Sequence, residues 1–364
     1  MVQRLKIETE PMTSIVKKFS AMYEENKLYN YANFITLHSD GRELFGEMCV
    51  IMDGSSSDAM VRLKMPMVGN SFSPIIVNFN DFYKFIKVIK EDEFEMVVGD
   101  NLTITAGKAS HTLELSTVKI PLSISDNLTE RLDKGELNLL DIDLVKLYNI
   151  VTDVGVTLDS NTLNKYLYGI YVDKDGAFAT NGYILNANNS YGIKESFLFP
   201  KAFINIAKQL PKLFVKYAIQ DRRLFLVGNG FNIYMAEWTT LPVDGVKKEN
   251  VYPIEGIKRV MAEAEGFINI PNPQEAYEAI KAVFSFSDVA MIYPGSGIVR
   301  DEKGLHIDGF TSSPEFTDTD FIAIRRESFK GISAMDKLSI DKKLTRIYCE
   351  DGNIKTVAMA VKIS

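Results

Sequence analysis

The sequence predicts an α+β protein built from three repeats of one unit, each with antiparallel sheets covered on one face by two helices. Two observations predict this. A strand-then-amphipathic-helix signature recurs at a nearly constant interval, and a second, Phe-centred helix signature recurs between its occurrences, followed each time by paired strand runs.

The first signature opens as Leu5-Lys6-Ile7-Glu8 with a helix from Thr13 to Glu25. It returns as Leu137-Asn138-Leu139-Leu140 with a helix from Asp141 to Thr152, and as Phe267-Ile268-Asn269-Ile270 with a helix from Pro273 to Phe286. Pro273 suits a first helical turn, where the N–H it lacks has no partner anyway. The three strands begin 132 and then 130 residues apart. Self-similarity at a fixed interval marks a repeated structural unit.

The second signature is Phe82-Tyr83-Lys84-Phe85, Phe203-Ile204-Asn205-Ile206 and Phe329-Lys330-Gly331-Ile332. A Phe and an apolar residue three apart share one helical face. Each follows a strand-like run (75–79, 196–199 and 320–324) and precedes two strand-turn-strand units. Those units cover 93–98 with 102–115, 214–219 with 224–236, and 337–340 with 345–361. Turn signals such as Gly99-Asp100-Asn101, Gly228-Asn229-Gly230 and Asp351-Gly352-Asn353 punctuate them. Alternation of apolar and polar residues makes antiparallel sheets with one covered face. The interval from first-helix lysine to second-helix Phe shrinks from 65 (Lys17 to Phe82) to 57 (Lys146 to Phe203) to 48 (Lys281 to Phe329), so the third repeat has a shortened hairpin or loop. The repeats are read as 1–131, 132–254 and 255–364, with Asn127–Glu136 and Val251–Gly266 as charged, glycine-containing linkers.

A chain of 364 residues has room for two or three cores. The composition, 46% hydrophobic and 24% charged, is that of a soluble globular protein. No apolar run reaches the roughly 18 residues of a membrane span, and the start lacks the apolar stretch of a secretory signal. Cys49 and Cys349 lie in separate strands and read as buried free thiols suited to a reducing cytoplasm.

The formal charge is −7, opposite to that of a simple DNA-coating protein. The positive charge is nevertheless patterned. Lys17 and Lys18 flank the stripe Ile15, Val16, Phe19 and Met22; Lys84, Lys87 and Lys90 lie opposite Phe82, Phe85, Ile86 and Ile89. Lys146 flanks Val145 and Tyr148, and Lys201, Lys208 and Lys212 flank Phe203, Ile206 and Leu210. Lys281 follows Ile280, while Arg325, Arg326 and Lys330 surround Phe329. Many acids fall in loops instead, as in Glu91-Asp92-Glu93, Glu315, Asp318 and Asp320, although Glu24, Glu25, Glu275 and Glu278 sit on the helices. Lysines opposite one apolar stripe are commonly a plain solvated face; their recurrence on six helices argues for a shared basic surface. Such a surface binds phosphates without reading bases, loosely enough to slide.

Three repeats supply six helices and two chains supply twelve. Twelve helices about 10 Å wide line a circle roughly 38 Å across, leaving a hole of roughly 28 Å. A duplex of about 20 Å passes through with a water layer. One chain alone cannot close that circle, whereas a symmetric dimer joined head to tail through sheet edges can.

Longer stretches carry a family likeness. Tyr166-Leu167-Tyr168-Gly169-Ile170 and Phe178-Ala179-Thr180-Asn181-Gly182-Tyr183-Ile184-Leu185 look like a strand pair ending in Ala-Thr-Asp-Gly-His-Arg-Leu. Leu198-Phe199-Pro200-Lys201-Ala202 looks like a Pro-Arg/Lys helix start, and the segment 357–363 looks like a Val-Val-Met-Pro-Met-Arg-Leu tail. Through these the sequence resembles the bacterial beta sliding clamp, the processivity subunit of the replicative polymerase, over essentially its whole length. The resemblance implies a non-enzymatic cytoplasmic protein that encircles double-stranded DNA as a head-to-tail homodimer, loaded by a clamp loader and tethering a DNA polymerase. It places Tyr166 near DNA. It also implies a pocket between repeats two and three for short partner peptides, formed by Leu167, Thr180, Gly182, Leu185, Val357, Met359 and Val361. Tyr183 and Ile184 replace the family's His-Arg, and Ala360 replaces its Pro. The family's Phe-Pro-Asp-Tyr is not recognisable in Leu241–Val246. A different peptide, such as that of a virus-encoded polymerase, follows from those departures.

Enzyme classes find no support in the residues. His38, His111 and His306 stand alone without metal-ligand spacing. Gly107-Lys108 lacks the earlier glycine and following hydroxyl of a phosphate loop, Gly295-Ser296-Gly297 reads as a turn, and no Gly-x-Ser-x-Gly elbow occurs. No catalytic residue, metal or cofactor is expected. The competing expectation is a monomeric β-rich binding protein that does not encircle DNA.

Overall fold

Alternating burial along outer strands, as in Gln3–Glu8 with Leu5 and Ile7 buried between more exposed neighbours, gives those strands one core face, whereas Gly176–Thr180, Ile184–Asn188 and Phe197–Pro200 are buried at every residue and so are covered on both faces. The structure, a computed structural model, describes residues 3–23, 25, 29–51, 58–118, 131, 134–158, 167, 169–201, 203–210, 214–236, 252–329 and 332–362. The chain groups into two compact units, one of Met1–Tyr148 with Ala202–Leu241 and one of Asn149–Lys201 with Pro242–Ser364. All strand pairings described are antiparallel, as the alternation predicts.

The first unit holds two sheets. One has the order β5 (Val68–Gly69), β1 (Gln3–Glu8), β7 (Glu93–Val98), β8 (Asn101–Ala106) and β9 (Ala109–Glu114). The other has the order β10 (Leu140–Asp143), β15 (Phe214–Gln220), β16 (Arg223–Gly228), β17 (Phe231–Ala236), β4 (Asp58–Pro66), β3 (Glu43–Ile51), β2 (Phe34–Ser39) and β6 (Phe72–Asn78). Helix α1 (Thr9–Met22) buries Met12, Ile15, Val16, Phe19 and Met22, a helical stripe, against β3 and β4. Gly46 on β3 makes room for it, since a Cβ there would lie 3.1 Å from the Phe19 ring. Helix α2 (Phe79–Ile86) starts where the Asn78 side chain accepts the Asp81 N–H at 3.1 Å, an N-cap, and buries Phe79, Phe82 and Ile86. Helix α4 (Phe203–Gln209) buries Phe203, Ile206 and Ala207, and both α2 and α4 lie against α1.

Helix α3 (Leu144–Gly155) follows β10, and the unit boundary falls within it.

The second unit has the sheet β14 (Phe197–Pro200), β11 (Gly169–Asp173), β12 (Gly176–Thr180), β13 (Ile184–Asn188), β25 (Ile354–Met359), β24 (Arg346–Asp351), β23 (Lys337–Ile340) and β18 (Ile268–Asn269). Its smaller sheet is β21 (His306–Asp308), β20 (Ile298–Arg300), β19 (Val289–Tyr293) and β22 (Ile322–Arg325). Helix α6 (Pro273–Phe284) packs Ala276, Ile280 and Val283 into a core with Ile292, Ile324, Leu338 and Ile347.

Two expectations need correction. Residues read as the linker Val251–Gly266 contain helix α5 (Ile254–Ala264), whose Ile257, Met261 and Ala264 form a buried i, i+4, i+7 stripe. Its charges and Gly256 hid that stripe, yet it packs on Phe178, Leu185, Tyr348 and Val357. Among the described residues the second helix of the third segment is a 3₁₀ turn, Arg326–Phe329. Phe329 packs on Tyr277 and Phe284 as an anchor; Lys330 and Gly331 of that signature lie outside the described residues. Cys49 and Cys349 are buried free thiols, and burial pushes the Cys349 thiol up. Among the described residues no helix is long and apolar enough to cross a membrane.

Candidate nucleic-acid and peptide-binding surfaces

The basic residues fall into several groups. On the first unit, Lys17, Lys84, Lys87 and Lys208 are exposed, and Lys18 is half-buried. Because α2 and α4 both lie against α1, Lys17, Lys84 and Lys208 belong to one packed helix layer. Lys87 sits 5.2 Å from the centre of the Tyr83 ring. Acids dilute the layer at one end, where Lys17 and Lys90 share a groove with Glu10, Glu91, Asp92 and Glu93. Lys146 is exposed on α3, with its backbone N–H held by the Asp143 carboxylate at 3.0 Å.

On the second unit, Lys281 and Arg326 line one groove of about 300 Å³ with Tyr277 and Phe284. Lys281 lies 5.7 Å from the Tyr277 ring centre. Arg326 is engaged internally: its guanidinium donates to the Phe284 carbonyl and, at 3.0 Å, to the Ser287 carbonyl, and pairs with Asp288 at 3.4 Å. It therefore caps the C-terminal end of α6, where free carbonyls favour a cation. Lys201 is also engaged internally, donating from Nζ at 2.9 Å to the carbonyl of Leu158 in the turn after α3. Tyr166 and Lys330 lie outside the described residues.

Arg325 parts from its neighbour. Strand β22 buries Ile322, Ala323 and Ile324, and Phe321 and Arg325 at its two ends are exposed. Arg325 lines a groove of about 360 Å³ with Asn181, Tyr183, Ile184, Glu327, Met359, Ala360, Val361 and Lys362. The structure thus brings it together with Met359 and Val361, predicted for peptide binding, rather than with Lys281.

A turn builds the rim of that groove. The Thr180 hydroxyl donates to the Ile184 carbonyl at 2.8 Å and accepts the Gly182 N–H at 3.0 Å. Asn181 Oδ1 accepts the N–H groups of Tyr183 and Ile184 at 2.9 and 2.8 Å. Gly182 has φ +91°, a conformation that side chains resist, and a Cβ there would lie 3.5 Å from Leu167. The locked turn leaves Tyr183 74% exposed beside the 44% exposed Met359. The Met359 N–H donates to the Tyr183 carbonyl, and the Val361 N–H to the Ala323 carbonyl.

Leu185 and Val357 behave differently. They are register partners on β13 and β25, 6% and 3% exposed, and packed beneath Ile257 and Met261 of α5. Of the predicted pocket, Met359 and Val361 line the open groove, Thr180 and Gly182 shape its rim turn, Leu167 stands behind Gly182, and Leu185 and Val357 are covered. Helix α5 is clasped in place: Lys258 Nζ bridges Asp173 at 2.6 Å and Asp175 at 2.7 Å, Arg346 pairs with Glu263 at 3.2 Å, and the Tyr252 hydroxyl donates to the Phe178 carbonyl at 3.2 Å. Burial works against the Lys258 charge, but the two carboxylates outweigh it and raise its pKa; burial pushes the Tyr252 phenol up. Tyr183, Arg325 and Lys362 were not among the residues expected in the groove, and the continuous apolar run Phe321–Ile324 before Arg325 carries no alternation that assigns it to a face. Among the described residues no His/Cys/Asp/Glu group could hold a metal ion.

No known protein-family model matches the sequence, and no curated protein matches it either. Solved structures do match in fold. The DNA polymerase sliding clamp of Bacillus subtilis aligns at TM-score 0.75 and 12% identity, covering 100% of both chains. The DNA polymerase III beta subunit of Thermotoga maritima aligns at 0.71 and 13%, also covering 100% of both. The Helicobacter pylori beta clamp, solved bound to a DNA ligase peptide, aligns at 0.70 and 11%, covering 99% of this chain and 100% of that one. The chain has the fold of the bacterial beta sliding clamps.

Proposed function

We propose that this chain is a DNA sliding clamp: a non-enzymatic, cytoplasmic processivity factor that closes around duplex DNA as a head-to-tail homodimer and tethers a polymerase after loading by a clamp loader. The observation that carries the reading is the likeness in fold over the whole chain to bacterial clamps.

Strand order supports the triplicate organisation with repeats 1–131, 132–254 and 255–364. The quartets β1-β7-β8-β9, β10-β15-β16-β17 and β18-β23-β24-β25 share one order, each with a helix after its first strand. The quartets β6-β2-β3-β4, β14-β11-β12-β13 and β22-β19-β20-β21 share another, each followed by α2, α4 or the 3₁₀ turn. Within the chain the last strands of opposite quartets join twice, β17 to β4 and β13 to β25. Among the described residues β9 and β21, the remaining equivalents, pair on one side only. A second copy joining β9 to β21 by the same rule merges the five-stranded and four-stranded sheets into two continuous nine-stranded ones, a heterologous contact that closes when the rotation is a half turn. Exposed apolar residues accompany both edges: Val88, 59% exposed, in the groove beside β9, and Leu305, 37% exposed, before β21.

In this reading the helices line the hole. Lys17, Lys18, Lys84, Lys87, Lys146, Lys208 and Lys281 supply phosphate contacts, and Tyr166 and Lys330 stay candidates on the sequence alone. Arg326 holds the end of α6, which carries Lys281, and Lys201 ties down the turn after α3, which carries Lys146. Partner peptides enter the groove beside Met359 and Val361. Retention on closed circular DNA tests the proposal. The protein stays on circles and runs off after linearisation, and its solution mass is twice that of the chain. Equal retention on linear DNA, or a monomer throughout, overturns it.

A further inference from the structure

We propose that Arg325 is the specificity-determining cation of the peptide groove, selecting partner segments that place an acidic side chain next to a large apolar one; this rests on the clamp reading for the groove's purpose. Arg325 and Arg326 are adjacent in sequence yet differ in employment. The guanidinium of Arg326 is satisfied by two carbonyls and Asp288. Arg325 has no ion pair or hydrogen bond from its guanidinium among the described residues, although it lines a groove together with Tyr183 and Met359. Lys362, a second exposed cation in the same groove, is likewise unpaired among the described residues. Glu327 is the one acid of the lining, so the groove carries a net positive charge within a protein of charge −7.

The apolar half of the recognition is equally specific. Large apolar side chains are normally withdrawn from water, and their exposure in a concave site marks a place to be covered. Tyr183 and Met359 are two of the most exposed large apolar residues described, both in this groove. Their positions are fixed by backbone, through the Thr180–Ile184 turn and the Met359 N–H to Tyr183 carbonyl bond. A rigid aromatic anchor costs little entropy on binding. The planar Arg325 fork matches a carboxylate in two-pronged fashion, which a lysine cannot do. An extended segment with an apolar side chain between Tyr183 and Met359 and a carboxylate toward Arg325 satisfies both halves.

The probe is a panel of fluorescein-labelled, capped hexapeptides carrying one phenylalanine and, at each other position in turn, glutamate, glutamine or lysine. Binding is read by anisotropy on the full chain, alongside retention on circular DNA. Glutamate members bind, and glutamine and lysine members bind about tenfold more weakly. Arg325→Ala abolishes the preference, and Arg325→Glu turns it toward lysine, with thermal unfolding and DNA retention unchanged. The assignment is overturned if no member binds, if glutamate and lysine members bind alike, or if Arg325→Ala weakens DNA retention while leaving peptide preference intact. Loss of retention by the unmodified protein defeats the clamp reading instead, and the two failures are read in separate assays.

Discussion

Leu185 and Val357 face each other across β13 and β25 and are sealed together under Ile257 and Met261 of helix α5. Positions that a family resemblance assigns to a peptide pocket are here part of the core of the second unit. The open groove begins where the same strands emerge from under the helix, at Tyr183 and Met359.

Leu185→Ala therefore acts first on folding. Deleting a buried leucine side chain typically costs about 2–5 kcal/mol, transfer and cavity together. Chemical denaturation is expected to register a loss in that range, while Met359→Ala, at an exposed position, changes stability by less than about 0.5 kcal/mol. Equal stability of the two variants would contradict the burial of Leu185.

The Lys258 clasp has a defined pH window. Its carboxylate partners hold Lys258 above the ordinary 10.5, so its contribution is full below that value and fades as pH rises through the higher folded value. Asp175, held down chiefly by the Lys258 hydrogen bond, lies below the ordinary 3.8; its contribution is present above 3.8 and is lost as pH falls through the lower folded value. Lys258→Met should lower stability by roughly 0.5–1 kcal/mol, the scale of partly exposed pairs. That deficit should be constant through the neutral range and shrink at either extreme. Thermal unfolding of both proteins across pH measures it.

On the first unit, replacing Lys17, Lys84 and Lys208 by Ala is expected to weaken DNA retention and flatten its salt dependence. Each phosphate contact removed reduces the log–log salt slope by about 0.9. Arg326→Ala serves as contrast: it strips the carbonyl caps at Phe284 and Ser287 and should lower the melting temperature. A salt slope unchanged by the triple substitution would remove those lysines from the DNA surface.

Val88→Glu should break the proposed ring without unfolding the chain, because Val88 is 59% exposed. A charge placed in a closing sheet-edge contact is a strong deterrent to pairing. Light scattering should report the single-chain mass for the variant, and retention on circular DNA should vanish with it. A variant that stays dimeric would move the interface elsewhere.

Local pattern determined most of the elements. The i, i+3 and i, i+4 stripes of α1, α2 and α6, the alternation in β7 and β8, and turns such as Asp351-Gly352-Asn353 were legible because their cause lies within a few neighbouring residues. Tertiary structure decided what those elements do for one another. The joins of β17 to β4 and of β13 to β25 connect strands more than 150 residues apart in sequence, and no short-range signal specifies such partners. Helix α5 was hidden because its three buried residues acquire their meaning only from Leu185 and Val357 beneath them. Basic side chains were visible as a class, but the carbonyls within reach assigned Lys201 to the turn after α3 and Arg326 to the end of α6, and the fold assigned Arg325 to a groove. Charge is a property of the residue, whereas its employment depends on which distant backbone lies within reach of it.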